Sequence, residues 1–282
     1  MNKIVIIGSS GFIGSDLKKL LLKNKHKVFA PNSIKLNILK EEDYLKHSKK
    51  FVDASIVYCA GKHRQYGDTI ENMSNNIIGL NNFLKYLNPK NIKKFIFLSS
   101  AEVYGKIYNK IKISELTPVN PSNYYSLSKL TQELALKLFF KDYKEKLFIL
   151  RLPGIYGIND NNTSIISKII SNITNHQSFN LTTDGRDLRD YIYVRDLSKI
   201  IYKIIKLKKI NLQNNIINIC SGETISINNL IKLIEKIHGN NLKIVKKEVK
   251  TNTTYIIFKK NIFLKNQKFK KLKSNIYNEY FK

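Results

Sequence analysis

Cysteine is scarce in this sequence: the 282 residues include only two, Cys59 and Cys220, far apart and in no CxxC pair. That scarcity argues against a disulfide framework or a zinc site and suits a reducing compartment. The chain also lacks any apolar run approaching the roughly 18–20 residues that span a bilayer. Its first residues, MNKIVIIGSSGFIG, contain no signal-peptide apolar region with a small-residue cleavage site. We therefore expect a cytoplasmic protein that contacts no membrane and holds no metal.

Acidic residues are few: 21 Asp and Glu stand against 49 Lys and Arg, a formal net charge of +28. Such a charge suits nucleic acid, an acidic membrane surface or anionic substrates. However, lysine dominates arginine, and the lysines are scattered among many asparagines and isoleucines, as in the product of an A/T-rich coding sequence. They concentrate only near the end, at Lys259, Lys260, Lys265, Lys268, Lys270, Lys271 and Lys273. We interpret the charge as a solvated surface, with a nucleic-acid face as the alternative.

Short β-branched runs alternate with longer amphipathic stretches in the first half of the chain. The predicted strands are 3–8, 26–31, 55–61, 94–100 and 147–152, and the predicted helices are 13–24, 72–88 and 122–141. This alternation predicts right-handed βαβ crossovers and a parallel sheet with helices on both faces.

The pattern loosens after Pro153. The predicted elements there are a helix at 164–175, a strand at 191–194, a helix that begins at Asp196, a strand at 216–220 and a helix up to 237. Ser226 is the predicted cap of that last helix. The tail, 242–282, is predicted to contain a strand, a short helix and a basic end.

The first predicted strand ends in a glycine-rich turn, Gly8-Ser-Ser-Gly11-Phe-Ile-Gly14, that leads directly into the first helix. Glycines let a backbone turn tightly and approach a pyrophosphate, whose charge rests on the helix N-terminus. The spacing is GxxGxxG rather than GxGxxG, but its place between a strand and a helix favours dinucleotide binding. The predicted fold class is therefore α/β: a Rossmann-type doubly wound parallel sheet with a smaller, interleaved C-terminal region.

The end of the second strand, where an acid normally holds the adenosine ribose, carries Asn32 instead. Asparagine can bond a hydroxyl group but does not repel a 2′-phosphate, and Lys35 is close enough in sequence to attract one. The choice between NAD and NADP therefore stays open. Asn37 and Ile38 follow where a polar side chain and an amide could meet the adenine, although an ordinary loop explains them equally well.

A pair of serines, a tyrosine and a lysine form a candidate proton-handling set. Ser99 and Ser100 lie at the C-terminal end of a predicted strand, the edge where open α/β sheets bind ligands. Tyr125 and Lys129 follow at i and i+4 on one helix face. A phenol with a pKa near 10 is a poor base, but a nearby ammonium and a cationic nicotinamide would favour phenolate and lower that pKa. A chance surface pair is the alternative when Tyr-x-x-x-Lys stands alone.

In combination these motifs resemble the extended short-chain dehydrogenase/reductase family, the NAD-dependent nucleotide-sugar epimerases and dehydratases. The resemblance runs from residue 1 to about 235 and rests on GSSGFIG (8–14), CAGKH (59–63), LSSAEVYG (98–105), YSLSK (125–129), RLPGIYG (151–157), RDYIYVRDL (189–197) and NICSGETISI (218–227). It implies a cofactor-binding Rossmann domain at 1–157, to which 190–220 return. It also implies a nucleotide-sugar region at 158–189 and 221–282.

The resemblance implies a role for each matched residue. Tyr125 would be the base, Lys129 its electrostatic partner and Ser100 the catalytic hydroxyl. The implied cofactor contacts are Gly8, Gly11, Phe12, Ile13, Gly14, Asn32, Asn37, Ile38, Ala60, Gly61, His63, Asn76, Ser99, Tyr125, Lys129 and Pro153. The implied substrate contacts are Ser100, Glu102, Tyr125, Gly154 and Arg189.

Subgroup residues favour one reaction within the family. The 4,6-dehydratases carry Thr-Asp-Glu where this chain has Ser100-Ala101-Glu102, and Ala101 cannot donate a proton to a leaving hydroxyl. Several 4-epimerases have Ser-Ser-Ala there, as here. We therefore favour C4 epimerisation of a nucleotide-diphosphate sugar, with NAD or NADP as the cofactor. The alternatives within the family are a dehydratase, for which Glu102 is the remaining acid, and a reductase. A non-catalytic module that binds RNA or a partner is a third hypothesis.

One departure from the family pattern, two arginines and one surface complete the expectations. Gly154 stands where many members have an asparagine that contacts the diphosphate. Arg189 is expected to clamp the diphosphate, whereas Arg186 is as suited to that role as to pairing with a neighbouring aspartate. Helices 72–88 and 122–141 carry apolar stripes beyond what one sheet face needs, and the resemblance implies a homodimer through them.

Overall fold

The computed structural model describes residues 2–161, 163–207, 215–246, 252–259, 264, 269 and 271–281. Lys260, Lys265, Lys268 and Lys270 of the predicted basic end lie outside these residues. In chain order the helices and strands are β1 Lys3–Ile7, α1 Phe12–Lys23, β2 Lys27–Phe29, α2 Glu41–His47, β3 Ala54–Tyr58, α3 Ile70–Lys85, β4 Lys94–Ser100, β5 Lys112–Ile113, α4 Tyr124–Phe139, β6 Leu147–Leu152, β7 Gly154–Tyr156, α5 Ile165–Thr174, β8 Phe179–Leu181, β9 Leu188–Tyr193, α6 Val194–Lys206, β10 Ile216–Asn218, β11 Thr224–Ser226, α7 Ile227–His238, β12 Ile244–Lys246, β13 Ile257–Phe258 and α8 Leu272–Tyr280.

The central sheet has six strands in the order β10-β6-β4-β3-β1-β2. The pairs β1–β2, β1–β3 and β3–β4 are parallel. Strand order reverses at β1, since β2 lies on one side of it and β3 on the other. The predicted doubly wound α/β fold is confirmed, and strands 94–100 and 147–152 have the predicted bounds.

The inner strands β1, β3, β4 and β6 are largely apolar and buried because both faces of the sheet are covered. β3 is buried along its whole length. On one face, Phe83 of α3 packs with Phe51, Tyr58 and Phe95, with ring centroids 4.9, 5.8 and 5.9 Å away. Burial of one such side chain contributes about 1.5–3 kcal/mol. This aromatic core supports the strand ends that carry the candidate site.

The chain forms two compact units. The first comprises Met1–Gly105, Val119–Arg151 and Leu197–Ile217, and the second comprises Lys106–Pro118, Leu152–Asp196 and Asn218–Lys282. The stretches 106–118 and 152–157, assigned from sequence to the first domain, therefore lie in the second unit. The reason is strand pairing: β5 pairs with β13 and β7 pairs with β9.

The second unit is built on short strands. β9 pairs with β7 in parallel and with β11 in antiparallel orientation, and β8 and β12 form a separate parallel pair. Helix α7 begins after Ser226, whose hydroxyl accepts from the Asn229 N–H as predicted. The start of α6 differs from the prediction: it begins at Val194, directly after β9, rather than at Asp196. Among the described residues, no helix is long and apolar enough to cross a membrane.

Candidate active site

The glycine turn between β1 and α1 has no room for a side chain at Gly8 or Gly14. Gly8 has a φ of +89°, and a Cβ there would lie 2.6 Å from the Ala60 nitrogen. A Cβ on Gly14 would lie 2.2 Å from the Gly8 carbonyl oxygen. Gly11 is the N-cap of α1 and supplies no side-chain cap, so the first-turn N–H groups of Phe12 and Ile13 form an uncapped helix N-terminus. Such a terminus fits the pyrophosphate of a dinucleotide.

The predicted ribose and adenine residues after β2 form a hydrogen-bonded loop. The Asn32 amide oxygen accepts from the Lys35 N–H at 3.0 Å, so its amide N–H₂ is left for a ligand. Asn37 accepts from the Leu39 N–H through its side chain, and its own N–H donates to Asp43. Ile38 packs against Gly79 of α3, where a Cβ would meet it at 2.8 Å. The loop is therefore held against α3, with Asn32 exposed.

Asn76 organises the segment after β3. Its buried amide accepts from the Lys62 N–H at 2.7 Å and donates to the Lys62 carbonyl at 3.0 Å and the Ser128 hydroxyl at 3.3 Å. A Cβ on Gly61 would meet the Asn76 amide oxygen at 3.0 Å. Asn76 thus joins the chain at Ala60–Lys62 to α4.

The structure brings the predicted catalytic residues together. Ser100 ends β4, where its hydroxyl accepts from the Glu102 N–H at 3.1 Å and acts on the Tyr125 phenol, whose pKa it lowers. Asn123 caps α4 in a capping box with Ser126, which places Tyr125 in the first helical turn. Lys129 follows one turn later, is buried, and donates from Nζ to the Leu98 carbonyl at 3.0 Å.

Lys129 lies close to two aromatic rings. Its Nζ is 4.8 Å from the Phe97 centroid and 5.9 Å from the Tyr125 centroid. Burial lowers the pKa of Lys129 to about 8, although Cys59 and Glu133 oppose this shift. Because that value is above neutrality, the ammonium form still predominates at pH 7. Burial also raises the pKa of the Cys59 thiol to about 12, so the thiol is neutral at pH 7 and Cys59 is a packing residue rather than a nucleophile.

The pKa of Tyr125 moves opposite to the expectation. Burial of the phenol and then the Glu102 carboxylate raise it, and the Ser100 hydrogen bond and the Arg64 cation lower it by less. The predicted lowering is therefore absent in the protein by itself, because desolvation of a phenolate outweighs the nearby positive charges. Tyr125 is a neutral phenol in this state and can act as a proton donor as well as, once deprotonated, a base.

Sequence reasoning named Glu102 and His63 but missed three polar residues around Tyr125: Arg64, Asp68 and Asn123. The Arg64 Nε lies 3.5 Å from a Glu102 carboxylate oxygen that also accepts from the Asn123 amide at 2.9 Å. The Asp68 carboxylate accepts from the Tyr125 N–H at 3.0 Å. The predicted cofactor residue His63 has its ring 4.7 Å from the Tyr125 ring, centroid to centroid. Only Asn123 carried a sequence signal, as a helix cap before Tyr125.

Ser99 contacts a different partner from Ser100. Its hydroxyl donates to the buried Glu133 carboxylate, which is also bonded to Arg151. Successive side chains of a strand alternate between the two faces of a sheet, so Ser99 and Ser100 serve different surroundings. Any cofactor contact of Ser99 would therefore come from its backbone.

The predicted substrate residues Gly154 and Arg189 belong to the second unit, as does Pro153 between β6 and β7. A Cβ on Gly154 would lie 2.7 Å from the Tyr191 ring, so packing excludes the asparagine expected there. The Arg189 guanidinium donates to the Thr254 hydroxyl at 2.7 Å and lies 3.9 Å from Asp187. Arg186 forms an ion pair with Asp184 at 2.6 Å, which is the alternative to diphosphate binding that the sequence offered for this arginine.

Comparison with known proteins identifies the class of this arrangement. The sequence description of the NAD dependent epimerase/dehydratase family matches residues 4–220. The chain belongs to that family. A Methanocaldococcus jannaschii protein provisionally named UDP-glucose 4-epimerase is 29% identical over 253 residues, 82% of this chain and 81% of that one. The dTDP-D-glucose 4,6-dehydratase of Dictyostelium discoideum is 28% identical over 266 residues, 82% of this chain and 60% of that one.

A solved structure has the same fold. UDP-glucose 4-epimerase of Thermus thermophilus, solved in complex with NAD, superposes with a TM-score of 0.84 at 17% identity, over 97% of this chain and 96% of that chain. The fold and the epimerase/dehydratase family predicted from the sequence are thus confirmed, and the protein is an enzyme of that family. Both reactions of the family occur among its relatives, so the specific reaction and the role of each residue stay predictions.

Proposed function

We propose that this protein is an NAD-dependent nucleotide-sugar epimerase that inverts C4 through a transient 4-keto sugar. The observation that carries the proposal is the grouping of Ser100, at the end of β4, with Tyr125 of α4, whose pKa the Ser100 hydroxyl lowers, and with buried Lys129 one helical turn after Tyr125. A base, a hydroxyl that orients the substrate and a fixed cation are the groups that alcohol oxidation by hydride removal requires.

The first unit has the features that NAD needs. The side-chain-free turn at Gly8, Gly11 and Gly14 and the uncapped start of α1 would hold the pyrophosphate. Asn32 would bond the adenosine ribose, and the absence of an acid there leaves NADP as a possible second cofactor. When bound, NAD supplies the acceptor, and later the donor, of the hydride at the sugar carbon.

The chain's own residues would handle the proton. Ser100 would hold the C4 hydroxyl beside Tyr125, whose phenolate oxygen would take the hydroxyl proton as the C4 hydride leaves. Lys129 would stabilise that phenolate, because an ammonium nearby favours the charged form. After the 4-keto sugar rotates, Tyr125 would return the proton to the carbonyl oxygen as hydride returns to the opposite face of C4. The cycle conserves both hydrogens and requires no external oxidant.

The second unit would hold the nucleotide sugar. A guanidinium group binds phosphate oxygens in a bidentate manner, so Arg189 would contact the diphosphate. Thr254 already orients Arg189 through two bonds, to its hydroxyl and to its carbonyl. The exposed backbone of Gly154 would lie along the same substrate. The sugar and the base of the nucleotide are left to experiment.

A dehydratase is the second candidate, and Glu102 favours it. Its carboxylate is held by Arg64 and Asn123 and acts on the pKa of Tyr125, so it lies in the same cluster. Ala101, however, replaces the acid that would protonate a leaving hydroxyl. This absence is why we place epimerisation first.

Proton NMR of the purified protein with NAD and a panel of UDP-, dTDP- and GDP-hexoses tests both candidates. We expect a 4-epimer to approach equilibrium, and we expect Tyr125→Phe to slow this by about 10²–10⁴-fold. Tyr124→Phe is the matched control, since Tyr124 is the exposed neighbour on the same helix turn. A 4-keto-6-deoxy product would replace the epimerase proposal by the dehydratase, and no conversion of any sugar would refute both.

We also propose a cytoplasmic homodimer. Cys59 and Cys220 are free thiols, as a reducing compartment permits. Helices α3 and α4 pack together and expose Ile78, Leu134 and Leu138, the last with 74% of its surface accessible. An apolar stripe of this kind on two adjacent helices suits association with a second copy. Sedimentation should show a dimer. The double variant Leu134→Glu/Leu138→Glu should dissociate it, whereas Leu22→Glu, at an exposed position of α1, should leave it intact. A wild-type monomer at micromolar concentration would overturn the proposal.

A further inference from the structure

A buried ion pair lies one helical turn beyond Lys129. Glu133 of α4 and Arg151 of β6 are 1% and 3% exposed. The Arg151 Nε donates to both Glu133 oxygens at 3.0 and 3.2 Å, and its Nη2 donates to one of them at 2.6 Å. Two charges are rarely removed from water in this way, and replacing such a pair by apolar residues is often neutral or stabilising. Fold stability therefore does not by itself account for the pair.

The ion pair joins the elements that carry the proposed catalytic groups. Glu133 stands on α4, four residues after Lys129, which is four residues after Tyr125. Its carboxylate also accepts from the Ser99 hydroxyl, and Ser99 directly precedes Ser100 on β4. The Arg151 guanidinium lies 4.8 Å from the centroid of Tyr104, which follows Glu102 in the turn after β4.

The same cluster reaches Lys129 in two ways. Lys129 donates to the carbonyl of Leu98, the residue before Ser99, so the strand end fixed by Glu133 also supplies the lysine's partner. In addition, the Glu133 carboxylate favours the charged ammonium, since it opposes the effect of burial on the pKa of Lys129. A displaced Glu133 would therefore alter both the position and the charge of Lys129.

We propose that Glu133 and Arg151 are positioning residues, whose ion pair aligns Ser100 on β4 with Tyr125 and Lys129 on α4 and keeps Lys129 charged. The inference deepens the proposed function, on which it rests. Misplacement of a reacting group by about 1 Å can cost on the order of 100-fold in rate. Both side chains are buried and would touch neither sugar nor cofactor, so removal of the pair should lower kcat and leave KM nearly unchanged.

Four variants test this. Glu133→Met/Arg151→Met removes both charges and keeps apolar volume, so it should fold with a Tm near that of the wild type. Arg151→Lys keeps the charge but loses the bidentate fork. Ser99→Ala removes only the tether to β4. Glu41→Gln is the control, because it breaks the exposed Glu41–Lys85 pair of the same unit.

The first readout is the epimerase kcat and KM. We expect the double variant to lose about 100-fold in kcat with KM within about threefold, Arg151→Lys and Ser99→Ala to lose about tenfold, and Glu41→Gln to be unchanged. Folded variants with wild-type kcat would overturn the proposal. If the double variant does not fold, Arg151→Lys and Ser99→Ala decide by the same criterion.

The second readout does not depend on turnover. NMR with isotope-labelled lysine, in which Lys129→Met identifies the Lys129 side-chain signal, follows the titration of the ammonium group with and without NAD. We expect the titration of Lys129 to shift downward in the double variant, since the ammonium loses the Glu133 carboxylate that favours its charged form. A shift in a protein that converts no sugar would retain the positioning role and refute the epimerase. Epimerisation without any change in titration or kcat would retain the epimerase and refute the positioning role.

Discussion

The glycine turn allows cofactor binding to be separated from folding by two similar substitutions. Gly11 has a φ of −73°, and a Cβ there would meet only the Gly8 carbonyl oxygen, at 3.4 Å. Alanine fits this conformation, and by restricting the unfolded chain it should change stability by about +0.4 to +1 kcal/mol. The methyl group would, however, stand at the uncapped start of α1, where the pyrophosphate must approach the backbone.

The expected loss at Gly11→Ala is in NAD affinity. A weakening of about 100-fold corresponds to about 2.7 kcal/mol, so the stabilisation that saturating NAD gives to the folded state should fall by that amount. Gly14→Ala should behave differently. Its Cβ would lie 2.2 Å from the Gly8 carbonyl oxygen and 2.9 Å from the Ser9 Cα, which are backbone atoms that cannot rotate away. We expect it to lower stability by about 1–3 kcal/mol even without NAD.

Urea denaturation with and without NAD, together with calorimetric titration, measures both quantities. The wild type supplies the reference for stability and affinity. If Gly11→Ala folds and binds NAD within about threefold of the wild type, the turn is not the pyrophosphate site and the reasoning is refuted. If Gly14→Ala is as stable as the wild type, the close contact to Gly8 does not constrain the turn.

Three further predictions follow from single side chains. Lys94→Met should lower the free energy of unfolding by about 1–3 kcal/mol in urea titrations, because Lys94 donates to the Ile204 and Ile205 carbonyls at 2.7 and 3.0 Å, and equal stability would contradict this. The pKa of Lys129 is about 8 in the folded protein and 10.5 in the unfolded chain, so between pH 8 and 10.5 the unfolded chain binds more protons than the folded protein. The free energy of unfolding should therefore rise with pH between these values in the wild type and not in Lys129→Met. Arg189→Met should raise KM for the nucleotide sugar about tenfold. Arg186→Met loses only an exposed ion pair with Asp184 and should change KM far less. Equal effects of the two variants on KM would show that Arg189 does not bind the diphosphate.

Local pattern was sufficient for the sheet and for the residues that define the family. The inner strands of the central sheet are largely apolar, and the strands at 94–100 and 147–152 have the bounds that their composition predicts. The glycine turn and the Tyr125–Lys129 spacing are likewise local, since helix periodicity alone places those two side chains on one face. Helix boundaries shifted by one or two residues where a cap such as Asn123 set the start.

Short elements that depend on distant partners were not predictable. β5 has two residues and exists because it pairs with β13, more than 140 residues later in the chain. Helix α2, over Glu41–His47, is too short and polar to show an amphipathic period. Its Tyr44 is buried, and the Tyr44 hydroxyl donates to the Gly79 carbonyl of α3. The membership of 106–118 in the second unit follows from that same strand pairing.

The sequence by itself determined the fold, the family and the three residues of the proposed catalytic set, because each is encoded in contiguous motifs or helical spacing. Only the tertiary structure decided what surrounds them. It placed Arg64 against Glu102, and Glu133 against Arg151 and Ser99, pairs that are 18 to 38 residues apart in the chain. It also decided the direction of the pKa of Tyr125, because that pKa depends on how much water the folded chain removes from the phenol.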